Sequence, residues 1–299
     1  MANSKEIQGR IKSIQDTMKI TSAMYMISST KLRKAKNDLE ATEPYFYTLQ
    51  SMISRILRHL PDMEHPYFDR AADGKDKTRG YLVITADKGM AGAYNHNVFK
   101  MTQEQMEKGE KWKLFVVGEL GRQYFAGKGE AVEAQFHYTA QNPTMHRARV
   151  ISGKIMELYE AGELDEVYIV YTRMVNSIQA QTEIMQLLPL QRSDFQAGVP
   201  KNIPADVLQE EFQLIPSPRA VIDNIIPNYV TGYIYCALVE SFCSEQNARM
   251  MAMDAANKSA SAMIHDLSIL YNRVRQAMIT QEITEVISGA KAQKRKKKR

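Results

Sequence analysis

The chain has 299 residues, 44% hydrophobic and 24% charged, and carries +5 from 39 Lys plus Arg against 34 Asp plus Glu. That is the composition of an ordinary folded chain with room for one large or two smaller domains. Seven of the cations crowd into the last nine residues, KAQKRKKKR, so the rest is near neutral and the basic balance alone does not argue for nucleic-acid binding. No apolar run reaches the ~20 residues of a membrane span. MANSKEIQGR lacks the apolar stretch of a secretion signal and the Arg- and Ser-rich character of a transit peptide, so a bacterial or already processed chain is expected.

The first 58 residues hold one glycine, Gly9, and one proline, Pro44, among good helix formers, with Asn3 and Ser4 placed to cap a helix. Ile7, Ile11, Ile14, Met18, Thr21, Tyr25, Ser28, Leu32, Ala35 and Leu39 step alternately by four and three, the roughly 3.5-residue period of a coiled-coil seam. Up to residue 36, eight cations (Lys5, Arg10, Lys12, Lys19, Lys31, Arg33, Lys34 and Lys36) face only Glu6 and Asp16. That excess favours an acidic partner surface or a polyanion.

The middle has a different texture. GYLVITADKG (80–89), KLFVVG (113–118) and DEVYIVYT (165–172) read as strands, AVEAQFHY (131–138) as a weaker fourth and TEIMQLLPL (182–190) as a further candidate. Helical patterns at 92–110, 119–127 and 144–161 separate them, an alternation that implies a mainly parallel sheet. DKGMAGAYN follows a strand and opens a helix, as phosphate loops do, yet lacks G-x-G-x-x-G, and GRQYFAGKG fails the P-loop spacing. These glycines are expected to serve turns and close packing. The six histidines have no metal-ligand spacing and are expected at the surface or at caps; no catalytic triad and no cofactor site is expected.

Ser217 and Pro218 form a helix start, Pro227 is expected to perturb an early turn, and from Asn228 to Ser288 only Gly232 interrupts the helix formers. A second ladder runs Met253, Ala256, Ala260, Met263, Leu267, Leu270, Val274, Ala277. Such a helix is roughly 90 Å long at about 1.5 Å per residue and must protrude. Two long helices at the chain ends predict an antiparallel coiled coil flanking a central α/β domain. The expected division is 1–58 helix, 75–195 α/β domain, 196–216 connecting loop, 217–290 helix and 291–299 basic tail. Cys236 and Cys243 lie two helical turns apart, about 10 Å and beyond disulfide reach, so reduced buried thiols are expected, which suits a reducing compartment. VRQAMITQEITEVISGAK (274–291) is apolar on nearly every side although it stands near the chain end.

KEIQGRIKSIQDTMKITSAMYMISSTKLRKAK at the start and SEQNARMMAMDAANKSASAMIHDLSILYNRVRQAMITQEITEVISGA at the end resemble the two terminal signatures of the gamma subunit of the rotary ATP synthase. ITADKGMAGAYNHNVFK resembles that family's central signature, and the match is collinear to Ala290. The resemblance implies a non-catalytic central shaft, with the active sites on beta subunits. One such chain would stand within three alpha and three beta subunits, its α/β domain, Rossmann-like in topology but binding no nucleotide, forming a foot with the epsilon subunit on the ring of c subunits. It implies no cofactor of its own, and a place on the cytoplasmic face of the bacterial membrane, peripheral to it. By matching position, Arg275, Gln276, Thr280 and Glu282 would contact one beta subunit, Met24 would lie near the beta-subunit lever, and Arg33, Lys34 and Lys36 would face that lever's acids. Phe212, Leu214 and Ile215 would lie near the c ring. Ala91 stands where many relatives have a small thiol residue, and the regulatory cysteine insert of chloroplast relatives is absent, so thiol regulation is not expected.

Two other classes compete. A nucleic-acid or membrane-surface binder would use the basic arm and tail, but the tail has no aromatic residue to interleave with its cations. A nucleotide-dependent enzyme would need a phosphate loop that the middle domain does not supply.

Overall fold

A computed structural model describes residues 4–60, 63–68, 77–107, 111–134, 136–176, 179–196 and 213–296. The elements run α1 (Ser4–His59), β1 (Thr78–Ile84), α2 (Tyr94–Met106), β2 (Lys111–Val117), α3 (Glu119–Gly127), α4 (Met145–Glu160), β3 (Glu166–Met174), β4 (Ala180–Leu188), α5 (Arg192–Gln196) and α6 (Pro218–Lys296). They divide into one unit of residues 1–27 with 250–299 and a second of residues 28–249.

In the first unit the two helices run antiparallel. Ser261 Oγ reaches Met18 Sδ at 3.5 Å and the Asn257 amide donates to Ser22 Oγ at 3.2 Å, so one chain ascends as the other descends. On α1, Ile7 is buried and Ile11, Ile14, Met18 and Thr21 are half-buried, as the ladder requires, but Tyr25, its next member, is 38% exposed while neighbouring Met24 is half-buried. The seam of α6 departs from the expected one. Met253 is buried and Asn257, Ala260, Ile264, Leu267, Tyr271 and Val274 are half-buried, whereas Met263 and Leu270 are 53% and 40% exposed. Every seventh residue is shared by the two ladders; the flanking row that turns inward is the one holding Asn257 and Tyr271, not the one holding Ala256. Apolar character pointed to the wrong flank, because α1 offers hydroxyls at Thr21 and Ser22 to an amide.

The second unit is built on a four-stranded sheet of order β2-β1-β3-β4. β1 pairs parallel with β2 and β3, and β4 returns antiparallel along β3. Segment 131–138 contributes two isolated parallel bridges, from Val132 to Leu114 and from Tyr138 to Val117, rather than a strand. Alternate residues of the central strands point to opposite faces. Leu82, Ile84, Phe115, Val117 and Ile169 join α4 with the inner stretches of α1 and α6 in one core. Tyr81, Val83, Leu114, Val116 and Val170 join residues of α2 and α3 in the other. Both faces being covered, the strands read as unbroken apolar runs, the pattern of a parallel sheet.

α6 begins where Ser217 caps it, its Oγ accepting from Ala220 N at 3.3 Å, and continues through Pro227; the lost bond of that proline is accompanied by Thr231 Oγ1 donating to Pro227 O at 2.7 Å. Contrary to the surface expectation, His65 is 4% exposed. It stacks near Tyr67 and Phe68, its Nε2 meeting Asp223 Oδ1 at 3.0 Å while Nδ1 accepts from Tyr67 N. Cys236 and Cys243 are free, and burial pushes their thiols up to about 12 and about 11.

Candidate functional site

In an open α/β sheet the ligand crevice lies beyond the carboxyl ends of the strands, where neighbouring connections leave in opposite directions. Here that point falls between β1 and β3, since β1 is followed in space by β2 on one side and β3 on the other. The chain fills it with its own C-terminal helix. β3 outruns its pairing with β1 at Val170, and the free backbone of Thr172 is taken by α6: Thr172 N donates to Ser241 Oγ and Ser244 Oγ donates to Thr172 O, both at 3.0 Å. Two serines three residues apart on one helical face thus stand in for a neighbouring strand.

One turn further, Arg249 is 8% exposed and Glu245 3%, joined at 2.6 Å. The Arg249 guanidinium also donates to Lys88 O at 3.0 Å and Gly89 O at 3.1 Å, gripping the turn after β1. Asp87 in the same turn accepts from Glu119 N, Ala140 N and Gln141 N at 3.0–3.1 Å and from the Thr139 hydroxyl. Asp87 therefore caps α3, placing the chain's own carboxylate at a helix start that could otherwise receive a phosphate. Gly118 just before α3 has φ 98°, and a Cβ there would lie 2.4 Å from Thr85 O, so only glycine fits. Tyr94 is enclosed beside Ala86, Ala91 and Ala248, burial raising its phenol far above the ordinary range. None of this polar clamp was among the expected site residues. Its sequence signal was the Glu-x-x-x-Arg spacing within SEQNARM, an ion-pairing distance on a helix.

Two carboxylates in this region are poorly served. Glu240 Oε2 and Glu245 Oε2 are buried with no hydrogen-bond partner among the described residues. Burial pushes Glu240 up to about 7, nearby Arg173 only partly offsetting it and Glu183 and Glu43 adding to it. A raised carboxyl pKa means that the folded protein keeps a proton the unfolded chain has already lost, so stability falls as pH rises from about 4.5 to 7. Glu240→Gln is expected to raise stability by ~1–3 kcal/mol at pH 8 and by little at pH 4. Denaturant midpoints at the two pH values check this; an equal gain at both would contradict it.

The expected contact residues lie elsewhere. In the first unit, Met24 is half-buried and Arg275, Gln276, Thr280 and Glu282 are exposed, as is every residue from 275 to 291. The antiparallel pairing brings Ser4 level with Arg275, so α6 continues past the described start of α1. Met278, Ile279, Ile283, Val286 and Ile287 are each 43–71% exposed on that stretch. In the second unit, Arg33 and Lys34 are exposed and Lys36 half-buried. Leu214 packs against the core and Ile215 is 81% exposed, while Phe212 lies outside the described residues. Within each unit the described ones lie along a helix surface or, for Leu214 and Ile215, just before α6, not in an enclosed pocket. Among the described residues no cluster of His, Cys, Asp or Glu could hold a metal ion, and no helix is long and apolar enough to cross a membrane.

Comparison with known proteins agrees with the two long helices and the sheet. The family model described as ATP synthase matches residues 3–293. The ATP synthase gamma chain of Ruminiclostridium cellulolyticum is 44% identical over 97% of this chain and 98% of the relative. That of Caldanaerobacter subterraneus subsp. tengcongensis is 42% identical over 96% and 98%, and a sodium-ion-specific gamma chain of Acetobacterium woodii 35% over 97% and 98%. A chain in the mitochondrial ATP synthase of Euglena gracilis (OSCP/F1/c-ring) superposes with a TM-score of 0.64 at 16% identity, over 97% of this chain and 94% of that one. A chain from the central stalk/c-ring structure of the Tetrahymena thermophila enzyme gives 0.56 at 20% identity, over 79% and 99%. The chain belongs to the ATP synthase gamma-chain family, the non-catalytic central-stalk subunits of the rotary ATP synthase.

Proposed function

We propose that this chain turns inside a hexamer of three alpha and three beta subunits, driven by a c ring to which the 75–195 domain is fixed with the epsilon subunit. The 1–58 and 217–290 segments act as the shaft, and the complex sits on the cytoplasmic face of a bacterial membrane. The observation that carries this reading is the last described stretch of α6. A helix that leaves five large apolar side chains 43–71% exposed past the described start of α1 is built to be covered by another protein. At about 100° per residue those five side chains span roughly half of the helix circumference, a broad apolar band that suits the inner wall of a surrounding sleeve. Arg275, Gln276, Thr280 and Glu282 interrupt that surface with polar groups; Arg275 and Glu282 make no ion pair among the described residues and are available to a beta subunit.

Arg33, Lys34 and Lys36 make no ion pair within the described chain either, which suits an acidic lever opposite them. Ile215, exposed beside the anchored Leu214, is the best placed of the foot residues to meet the c ring. The role of the shaft is then to favour a different beta-subunit conformation at each orientation, so that rotation orders ATP binding, formation and release.

Charge-assisted hydrogen bonds are worth about 1.5–3 kcal/mol. If Arg275 makes them only at certain orientations, Arg275→Ala lowers ATP turnover of the assembled complex by roughly tenfold or more with assembly intact. Met24→Lys adds a cation beside the lever's acids and is expected to lower ion pumping per ATP hydrolysed. Steady-state ATPase and vesicle acidification, or ion uptake for a sodium-driven enzyme, measure both. Unchanged values in the two variants would remove these contacts from the account.

A further inference from the structure

Asn257 with Thr21 and Ser22 forms a hydrogen-bonded polar layer between the two helices of the first unit, next to the weaker contact of Ser261 Oγ with Met18 Sδ. The Thr21 hydroxyl reaches Asn257 Oδ1 while Asn257 Nδ2 donates to Ser22 Oγ at 3.2 Å, so both ends of the amide are used by α1. The layers on either side are apolar: Met253 is 5% exposed, and Met18, Ile14, Ala260 and Ile264 are half-buried. Apolar layers that repeat every seven residues can be exchanged for one another by sliding one helix along its partner. The polar layer cannot. A slip of one heptad moves α6 by about 10 Å and sets the Asn257 amide opposite Ile14, where both of its hydrogen bonds go unmade.

We infer that Asn257 is a positioning residue that sets the axial register of the coiled coil, holding Arg275, Gln276, Thr280 and Glu282 at a fixed height relative to Met24. The register follows from the side-chain geometry alone. Its consequence for coupling rests on the shaft reading given above. An antiparallel pair of apolar ladders specifies which faces meet, but one hydrogen-bonded layer specifies where along the axis they meet. Buried amides in such seams trade stability for register, so removing this one is expected to raise the melting temperature while loosening the register.

The test uses the full chain with Cys236 and Cys243 replaced by alanine and spin labels at the exposed positions Lys12 and His265. Electron–electron distance measurements are expected to give one narrow distribution for the parent and for Thr21→Ser, which keeps the hydroxyl. Asn257→Leu and the Thr21→Val/Ser22→Ala pair are each expected to add a second population displaced by about 10 Å along the axis. A single unshifted distance in both Asn257→Leu and the paired variant, at unchanged or raised melting temperature, would overturn the proposal. Because the measurement is made on the isolated chain, it fails or succeeds independently of whether the chain assembles with alpha and beta subunits.

Discussion

Arg249→Ala is expected to lower the stability of the second unit by about 3–5 kcal/mol, the range for breaking a buried ion pair by removing one partner. Glu245 stays behind at 3% exposure with one oxygen already unpartnered, and Lys88 O and Gly89 O lose their donor. The effect should depend on pH. Burial already raises the Glu245 carboxyl against the opposing pull of Arg249, and without the guanidinium it rises further. A carboxyl raised in the folded state costs stability only above its unfolded value, so the variant should lose less at pH 4 than at pH 8. Arg249→Met with Glu245→Gln removes both charges and keeps most of the volume, and should recover much of the loss. Denaturant unfolding of the three variants at the two pH values checks this. A loss under about 1 kcal/mol at pH 8 would mean that the pair is not the clamp that holds the turn after β1 to α6.

Gly232→Ala sets two effects against each other. Alanine in a helix interior is worth about 1 kcal/mol over glycine, so by propensity alone the substitution stabilises α6. Packing decides otherwise: a Cβ at this position would lie 1.9 Å from Cδ1 and Cε1 of Phe46. Phe46 is 8% exposed and wedged between Tyr45 and Tyr235, with ring centroids at 5.4 and 6.3 Å, so its ring cannot swing clear without opening the core between α1 and α6. Overpacking of this kind costs about 1–3 kcal/mol or more. A net loss of ~1–2 kcal/mol is expected, largely relieved by Phe46→Leu in the same chain. A net gain for Gly232→Ala alone would show that the two helices part easily there.

That glycine illustrates what the sequence could and could not convey. As a residue type it marks a weak point in a helix; only the approach of Phe46, 186 positions away in the chain, makes it a packing requirement. The long helices, the three parallel strands and the antiparallel pairing of the chain ends were legible because they rest on local propensity and on periods of about 2 and 3.5 residues. The inward flank of α6 was not legible, since Ala256 and Asn257 are separated by partner chemistry rather than by hydropathy. Segment 131–138 alternates like a strand but finds only two bridges on the outer edge of β2. The pair of Glu245 and Arg249 was hidden because charged residues in a helix are ordinarily solvent-facing, and their burial follows only from α6 filling the crevice between β1 and β3, where Asp87 sits in the turn after β1. The exposed apolar run after Arg275 was legible as a pattern that finds no partner among the described residues.

The account turns on that run being covered by a sleeve within which it rotates. The most direct measurement fixes alpha and beta subunits to a surface, assembles them with this chain carrying a bead on its 75–195 domain, and follows the bead as ATP is added. Stepwise rotation in one direction that stops when ATP is withdrawn is the predicted result. Failure of the chain to copurify with alpha and beta subunits, or stable assembly with ATP hydrolysis and a stationary bead, would contradict it.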